Sequence, residues 1–179
     1  MRLPRRHQRT VYHADEIDVE ALAADQSMRA AIAAGLIVIV MFSIFWVMLS
    51  TLVNRIFPWM TVLLGVFVGL VIRRAGRGLD WRFPVLAAAM TLAGSLFANV
   101  VVAAAFTADE LDSTTFEILR AATSMTWPVF FREVISAADI VYAAMGAAAA
   151  AFFANRRLTR SEYIAWRKRQ EDQADVRPD

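Results

Sequence analysis

No cysteine occurs in the 179 residues. Disulfides, thiolate metal sites, iron–sulfur ligation and cysteine nucleophiles are therefore excluded. Lysine is almost missing as well: Lys168 is the only one, and arginine supplies the rest of the nineteen basic residues. Arginine and alanine have GC-rich codons, so this composition points to a GC-rich bacterial genome. The two histidines, His7 and His13, sit in the polar N-terminal tail. With none in a long apolar run, bis-histidine haem ligation and an intramembrane di-metal centre are unsupported. No carboxylate lies near the middle of an apolar run, where proton relays and cation-coupled carriers usually place one. The G-x-S-x-G, H-E-x-x-H and G-x-x-x-x-G-K motifs are also missing. No cofactor or metal is expected.

What is abundant is apolar sequence. The apolar fraction is 58%, against about 45–50% in soluble domains. The excess is gathered into runs at about 30–53, 56–72, 83–106 and 137–154. Each run approaches the roughly 20 residues needed to cross about 30 Å of hydrocarbon. The expected fold is all-α: a polytopic membrane protein with four transmembrane helices and short periplasmic and cytoplasmic helices. The expected organisation is a cytoplasmic segment over 1–28, a transmembrane domain over 29–156 and a cytoplasmic amphipathic tail over 157–179. Pro84 falls in the first turn of the third helix, where its missing N–H costs nothing.

Charge sets the expected orientation. Sixteen of the nineteen basic residues fall in the N-terminal segment, in the 73–82 loop and in the tail from Asn155 onward. Only Arg55, Arg120 and Arg132 fall on the other side. Basic residues are retained in the cytoplasm, so Arg73, Arg74 and Arg77 act as topology determinants and both termini face inward. The implied location is the bacterial inner membrane. Trp59, Trp81 and Trp127 fall near the expected interfaces, whereas Trp46 falls inside the first span.

Outside the runs, three S/T-x-x-D/E boxes mark helix starts. Thr107 with Glu110 should open a short periplasmic helix through Ile118 and Leu119. Ser136 with Asp139 should open the fourth span, which gives Asp139 a capping role as the alternative to a functional carboxylate. Thr159 with Glu162 should open the tail helix. Residues 15–28 read as an acidic helix, and Pro128 as the start of a second short periplasmic helix. Trp127, Phe130 and Phe131 are candidate partner or membrane-surface contacts, as are Tyr163, Trp166 and Arg167 of the tail. Basic and aromatic side chains there suit anionic lipid head groups or a partner protein; no nucleic-acid role is expected.

Inside the runs, Gly65-x-x-x-Gly69 is a small-x-x-x-small pair that admits a second helix closely. Gly94 and Ala98 repeat the spacing. Ala143, Ala147 and Ala151 do so in the fourth run, with Gly146 and Ala150 beside them. Asn99 is the most polar side chain deep in a span, either bonded across a helix interface or held for a ligand. The serines and threonines of the spans can bond their own backbone. The stretch from Pro58 to Gly69, followed by Val71-Ile-Arg-Arg-Ala-Gly-Arg-Gly, resembles small bacterial four-helix membrane proteins without assigned function. In these, a glycine-spaced helix ends in an arginine- and glycine-rich cytoplasmic turn, and the next helix opens on an aromatic residue, here Phe83. The likeness covers about a third of the chain and implies a four-helix membrane module without an implied activity. The zinc-binding segment that often accompanies that module needs cysteines this chain lacks.

The functional expectation is a noncatalytic integral subunit, or an assembly or scaffold factor, of an inner-membrane complex with other integral proteins as partners. The alternative is a subunit of a small oligomeric transporter or channel.

Overall fold

The computed structural model describes residues 24–122, 136–155 and 158–175. His7, His13, most of the expected acidic helix, Trp127, Pro128, Phe130 and Phe131 lie outside the described residues. Among the described residues there are six helices and no strand: α1 Met28–Val53, α2 Met60–Gly76, α3 Arg82–Glu110, α4 Thr115–Ala122, α5 Ala137–Ala154 and α6 Arg160–Asp175. Helices α1, α3 and α5 are each long and apolar enough to cross a membrane. Helix α2 has 17 residues. Helices α1 to α5 belong to one compact unit, Gln26–Arg156, and α6 belongs to a second.

Helix ends follow local chemistry. Ser27 caps α1, its hydroxyl accepting from the Ala30 N–H at 3.2 Å. At the other end Asn54 turns left-handed, with φ 52°, and the Arg55 N–H returns to the Ser50 carbonyl at 3.0 Å. That is a Schellman ending with asparagine in the position glycine commonly takes. Helix α2 departs from expectation at both ends. It begins four residues late, because Phe57, Pro58 and Trp59 form a turn whose carbonyls accept from the N–H groups of Met60, Thr61 and Val62. It then runs on through Arg73 and Arg74, which occupy its last turn rather than a loop. Cations there offset the partial negative charge of the exposed carbonyls. The turn that follows is tied to the start of α1. The Ser27 N–H donates to the Gly76 carbonyl at 2.9 Å, and the Leu79 N–H donates to Gln26 Oε1 at 3.2 Å.

Helix α3 outruns its apolar stretch and reaches Glu110. Thr107 therefore does not open a new helix; its hydroxyl donates back to the Ala103 carbonyl at 3.0 Å. The box that opens α4 is Thr114 with Glu117, two residues of the same types seven positions on. The other two boxes form as expected, Ser136 with Asp139 at α5 and Thr159 with Glu162 at α6.

The helices alternate in direction. Ala31 and Gly35 of α1 face Gly76 and Ile72 of α2 in reverse order. Gly35 and Ile39 face Met90 and Gly94 of α3 in the same order. Helix α5 packs on α2 and α3, and α4 folds back on α3. Trp46, Leu64, Val68, Ile72, Ala87 and Val102 are among the buried residues between them. Trp46 stacks edge-on against Phe42, with ring centroids 6.4 Å apart, so it is core and not lipid contact. The outward faces are also apolar. Leu36, Ile37, Met41, Phe45, Met48 and Leu52 of α1 are exposed, as are Ile140, Val141, Met145 and Phe152 of α5. A soluble bundle carries polar residues on such faces.

One cap gives a pH-dependent prediction. The Thr114 backbone N–H, then the Thr114 and Ser113 hydroxyls, all donate to the exposed Glu117 carboxylate and hold it below its ordinary value of 4.5. A lowered value in the folded state means the cap stabilises α4 at neutral pH, and this contribution fades as pH falls below that ordinary value. Acidification slows intrinsic amide exchange, and relative to that intrinsic rate the protection of α4 amides is expected to fall as the carboxylate is protonated. Glu117→Gln removes that fall; an unchanged pH profile in this variant argues against the carboxylate as its source.

Candidate functional site

The closest approach in the bundle joins α2 to α5. A side chain placed on Gly65 would collide with the Gly146 carbonyl oxygen. A Cβ on Gly69 would lie 2.6 Å from the Ala150 carbonyl oxygen and 3.0 Å from its Cα. A Cβ on Gly146 would in turn lie 2.6 Å from the Thr61 carbonyl oxygen. Two small-x-x-x-small ladders thus face each other in register: Gly65 against Gly146, and Gly69 against Ala150. Since both numbers rise together, α2 and α5 run parallel. At this separation Cα–H groups meet carbonyls, a weak contact that recurs where helix backbones touch. The face of α5 used here is Gly146 and Ala150, offset by one position from the Ala143, Ala147 and Ala151 row.

Gly94 and Ala98 serve a different neighbour. A Cβ on Gly94 would lie 2.9 Å from Ile39 Cγ1, and Ala98 is fully buried. Gly94 admits a side chain of α1 and not a helix backbone. In the turn after α2, the left-handed residue is Arg77, with φ 46°, while no glycine has positive φ. Gly76 and Gly78 are small because both lie against the Phe83 ring.

Buried polar groups form a set that sequence reasoning missed. Ser43 and Ser95 do bond their own backbone, to the Ile39 and Leu92 carbonyls. Ser50 Oγ, Thr61 Oγ1, Thr91 Oγ1 and Trp46 Nε1 are buried with no hydrogen-bond partner among the described residues. Thr61 is the second residue of α2, so the helix holds no carbonyl four residues back for it; the helix start at Met60, had it been known, was the available signal. Thr91 turns its methyl toward Gly146 instead.

Asn99 and Asp139, distant in sequence, meet in one groove. It lies between α3 and α5, measures about 350 Å³, and is walled by Leu92, Leu96, Ile140 and Ala143. Asn99 is half-buried, and no hydrogen bond to its amide is found among the described residues. Asp139 Oδ2 accepts from the Ser136 N–H at 2.9 Å and from its hydroxyl at 2.6 Å.

In α6, Tyr163 and Ile164 are exposed, Trp166 is half-buried, and Arg167 pairs with Glu171 at 2.9 Å. An exposed i,i+4 pair of this kind contributes little. The three apolar side chains fall within an arc of roughly 160° at about 100° per residue.

Comparison with known protein families, with curated proteins and with solved structures finds no match to this chain.

The glycine contacts separate two kinds of substitution. Gly65→Ala drives a methyl into a helix backbone that cannot yield locally, and overpacking of this kind costs about 1–3 kcal/mol. Gly35→Ala meets the flexible end of Met90, with its nearest atom at 2.7 Å, and is expected to cost less than about 1 kcal/mol. Unfolding in detergent measures both; equal effects would contradict the backbone contact.

Proposed function

We propose that this chain is a four-span bacterial inner-membrane protein that works by contact, as a noncatalytic integral subunit or assembly factor of a membrane complex. Three spans rest on length and composition alone. For α2, 17 residues rise about 25 Å at about 1.5 Å each, and Trp59 and the Arg73–Arg74 pair stand at its two ends, as interface residues do. The basic asymmetry puts both termini on the cytoplasmic side. Reporter fusions after Arg82 and Arg169 should read cytoplasmic, and a fusion after Asp112 should read periplasmic. One reversed reporter overturns this topology.

The observation that supports the contact reading is the tight backbone contact of α2 with α5. Gly65 and Gly69 bring α2 against the backbone of α5, which leaves the outward faces for work. Those faces are broad and apolar on α1 and α5. Partners of the same chemistry, other integral membrane proteins, fit them. Anionic lipid head groups suit Arg73, Arg74 and Arg77. The second reading is an oligomeric transporter or channel subunit. One observation favours it: Asn99 and Asp139 sit in a groove on the side of the bundle, where neighbouring copies could share them.

Affinity purification in mild detergent tests the first reading. The tagged chain should copurify with a second membrane protein at fixed stoichiometry. Trp127→Ala combined with Phe131→Ala should release it while the circular dichroism of the bundle stays unchanged. Solute flux in liposomes containing the purified chain alone would favour the second reading and overturn the first.

A further inference from the structure

The capping role of Asp139 accounts for one of its two carboxylate oxygens. Oδ2 takes both bonds from Ser136, and no further bond to Asp139 is found among the described residues. The groove that holds it also holds the Asn99 amide, for which no partner is found among the described residues. Two polar groups with unused hydrogen-bonding capacity therefore face the same space.

Their depth makes this unusual. Helix α3 continues from Asn99 to Glu110, about 16 Å further at about 1.5 Å per residue. Asp139 is in the first turn of α5 and shares the groove with Asn99. Helix α3 thus outruns α5, and the carboxylate lies beside the apolar part of α3. Charged groups at such depth are costly and mark sites of binding or transport.

The walls say what enters. Leu92, Leu96, Ile140 and Ala143 are hydrocarbon, and Ile140 is 63% exposed, so the groove opens sideways. A volume of about 350 Å³ is at the small end of ligand sites. The polar end offers a carboxylate and an amide, and among the described residues that line the groove none is cationic. An occupant must be apolar along its length, enter from the side, and carry a positive, hydrogen-bond-donating end. A membrane lipid with a primary ammonium head group meets all three requirements. An anionic head group is repelled by the carboxylate, and a quaternary ammonium has no N–H to donate.

We infer that the α3–α5 groove binds one aminophospholipid, with an acyl chain along Leu92, Leu96 and Ile140 and the ammonium held between Asp139 and Asn99. This inference rests on the membrane placement proposed above. Retention of the chain in carbonate-washed membranes checks that placement first and separates its failure from failure of the lipid site.

The test uses the full chain, purified in dodecyl maltoside. Phosphatidylethanolamine, phosphatidylcholine and phosphatidylglycerol with identical acyl chains are titrated separately. Thermal unfolding and native mass spectrometry read the result. Phosphatidylethanolamine should bind one to one, roughly tenfold tighter than the other two, the scale of one charge-assisted hydrogen bond. Asp139→Asn keeps an acceptor for the Ser136 N–H and should abolish the preference. Asn99→Leu should weaken it without touching the cap, so a folding defect in either variant leaves the other decisive. Equal binding of all three lipids overturns the proposal, as does a preference that survives in both variants. Copy-to-copy crosslinking through Ala144→Cys, with no lipid adduct, would assign the groove to a second copy and overturn it too.

Discussion

Inside a bilayer, helices gain little by leaving lipid for one another, because lipid tails are as apolar as leucine. What holds them is close fit, and here the closest fit is the parallel contact of α2 with α5. Gly65 and Gly146 bring the two backbones to the limit that peptide groups permit, and Gly69 with Ala150 repeats this one turn on. Much else is placed by that contact. It sets Thr61 and Thr91 around Gly146, fixes the level at which α5 begins, and so creates the groove beside Asn99.

The chain treats polar groups at helix ends and within the core differently. At the ends, several orphan N–H and carbonyl groups have a local answer: serine and threonine caps, a left-handed asparagine, a tight turn at Phe57–Trp59. In the core, three hydroxyls and an indole N–H have none among the described residues. Buried hydroxyls without partners oppose stability. Their persistence beside the tightest backbone contact suits a core chosen for side-chain size: threonine is isosteric with valine, and serine is nearly as small as alanine.

The apolar runs at 30–53, 83–106 and 137–154 read directly as helices because hydropathy over some twenty residues is a strong signal. Boundaries were less legible. Arginine at 73 and 74 reads as an end, yet a helix C-terminus accepts cations, so α2 continues beneath them to Gly76. Two capping boxes sit close together around residue 110, and the one chosen by sequence, Thr107 with Glu110, loses to Thr114 with Glu117 because α3 extends past its apolar run. The Gly65 and Gly69 spacing was legible, whereas its partner was not, since alanine-rich α5 offers several equivalent rows. Glycine in the 76–78 turn makes room for Phe83, while Arg77 takes the left-handed conformation. The meeting of Asn99 with Asp139 depends on helix level, which no local pattern encodes.

Because α2 and α5 are parallel, no short hairpin can join them, and some eighty residues separate the contacting glycines along the chain. During synthesis α2 is complete long before its counterpart exists. For that interval a groove shaped for a helix backbone stands open, lined by Gly65 and Gly69. Whatever occupies it first must leave when α5 arrives. A copy made nearby carries an identical α5, so exchange of this last helix between neighbouring nascent chains competes with closure within one chain. The length of the link between α3 and α5, and the speed at which it is translated, then become determinants of whether the protein emerges as a single bundle or an intertwined pair.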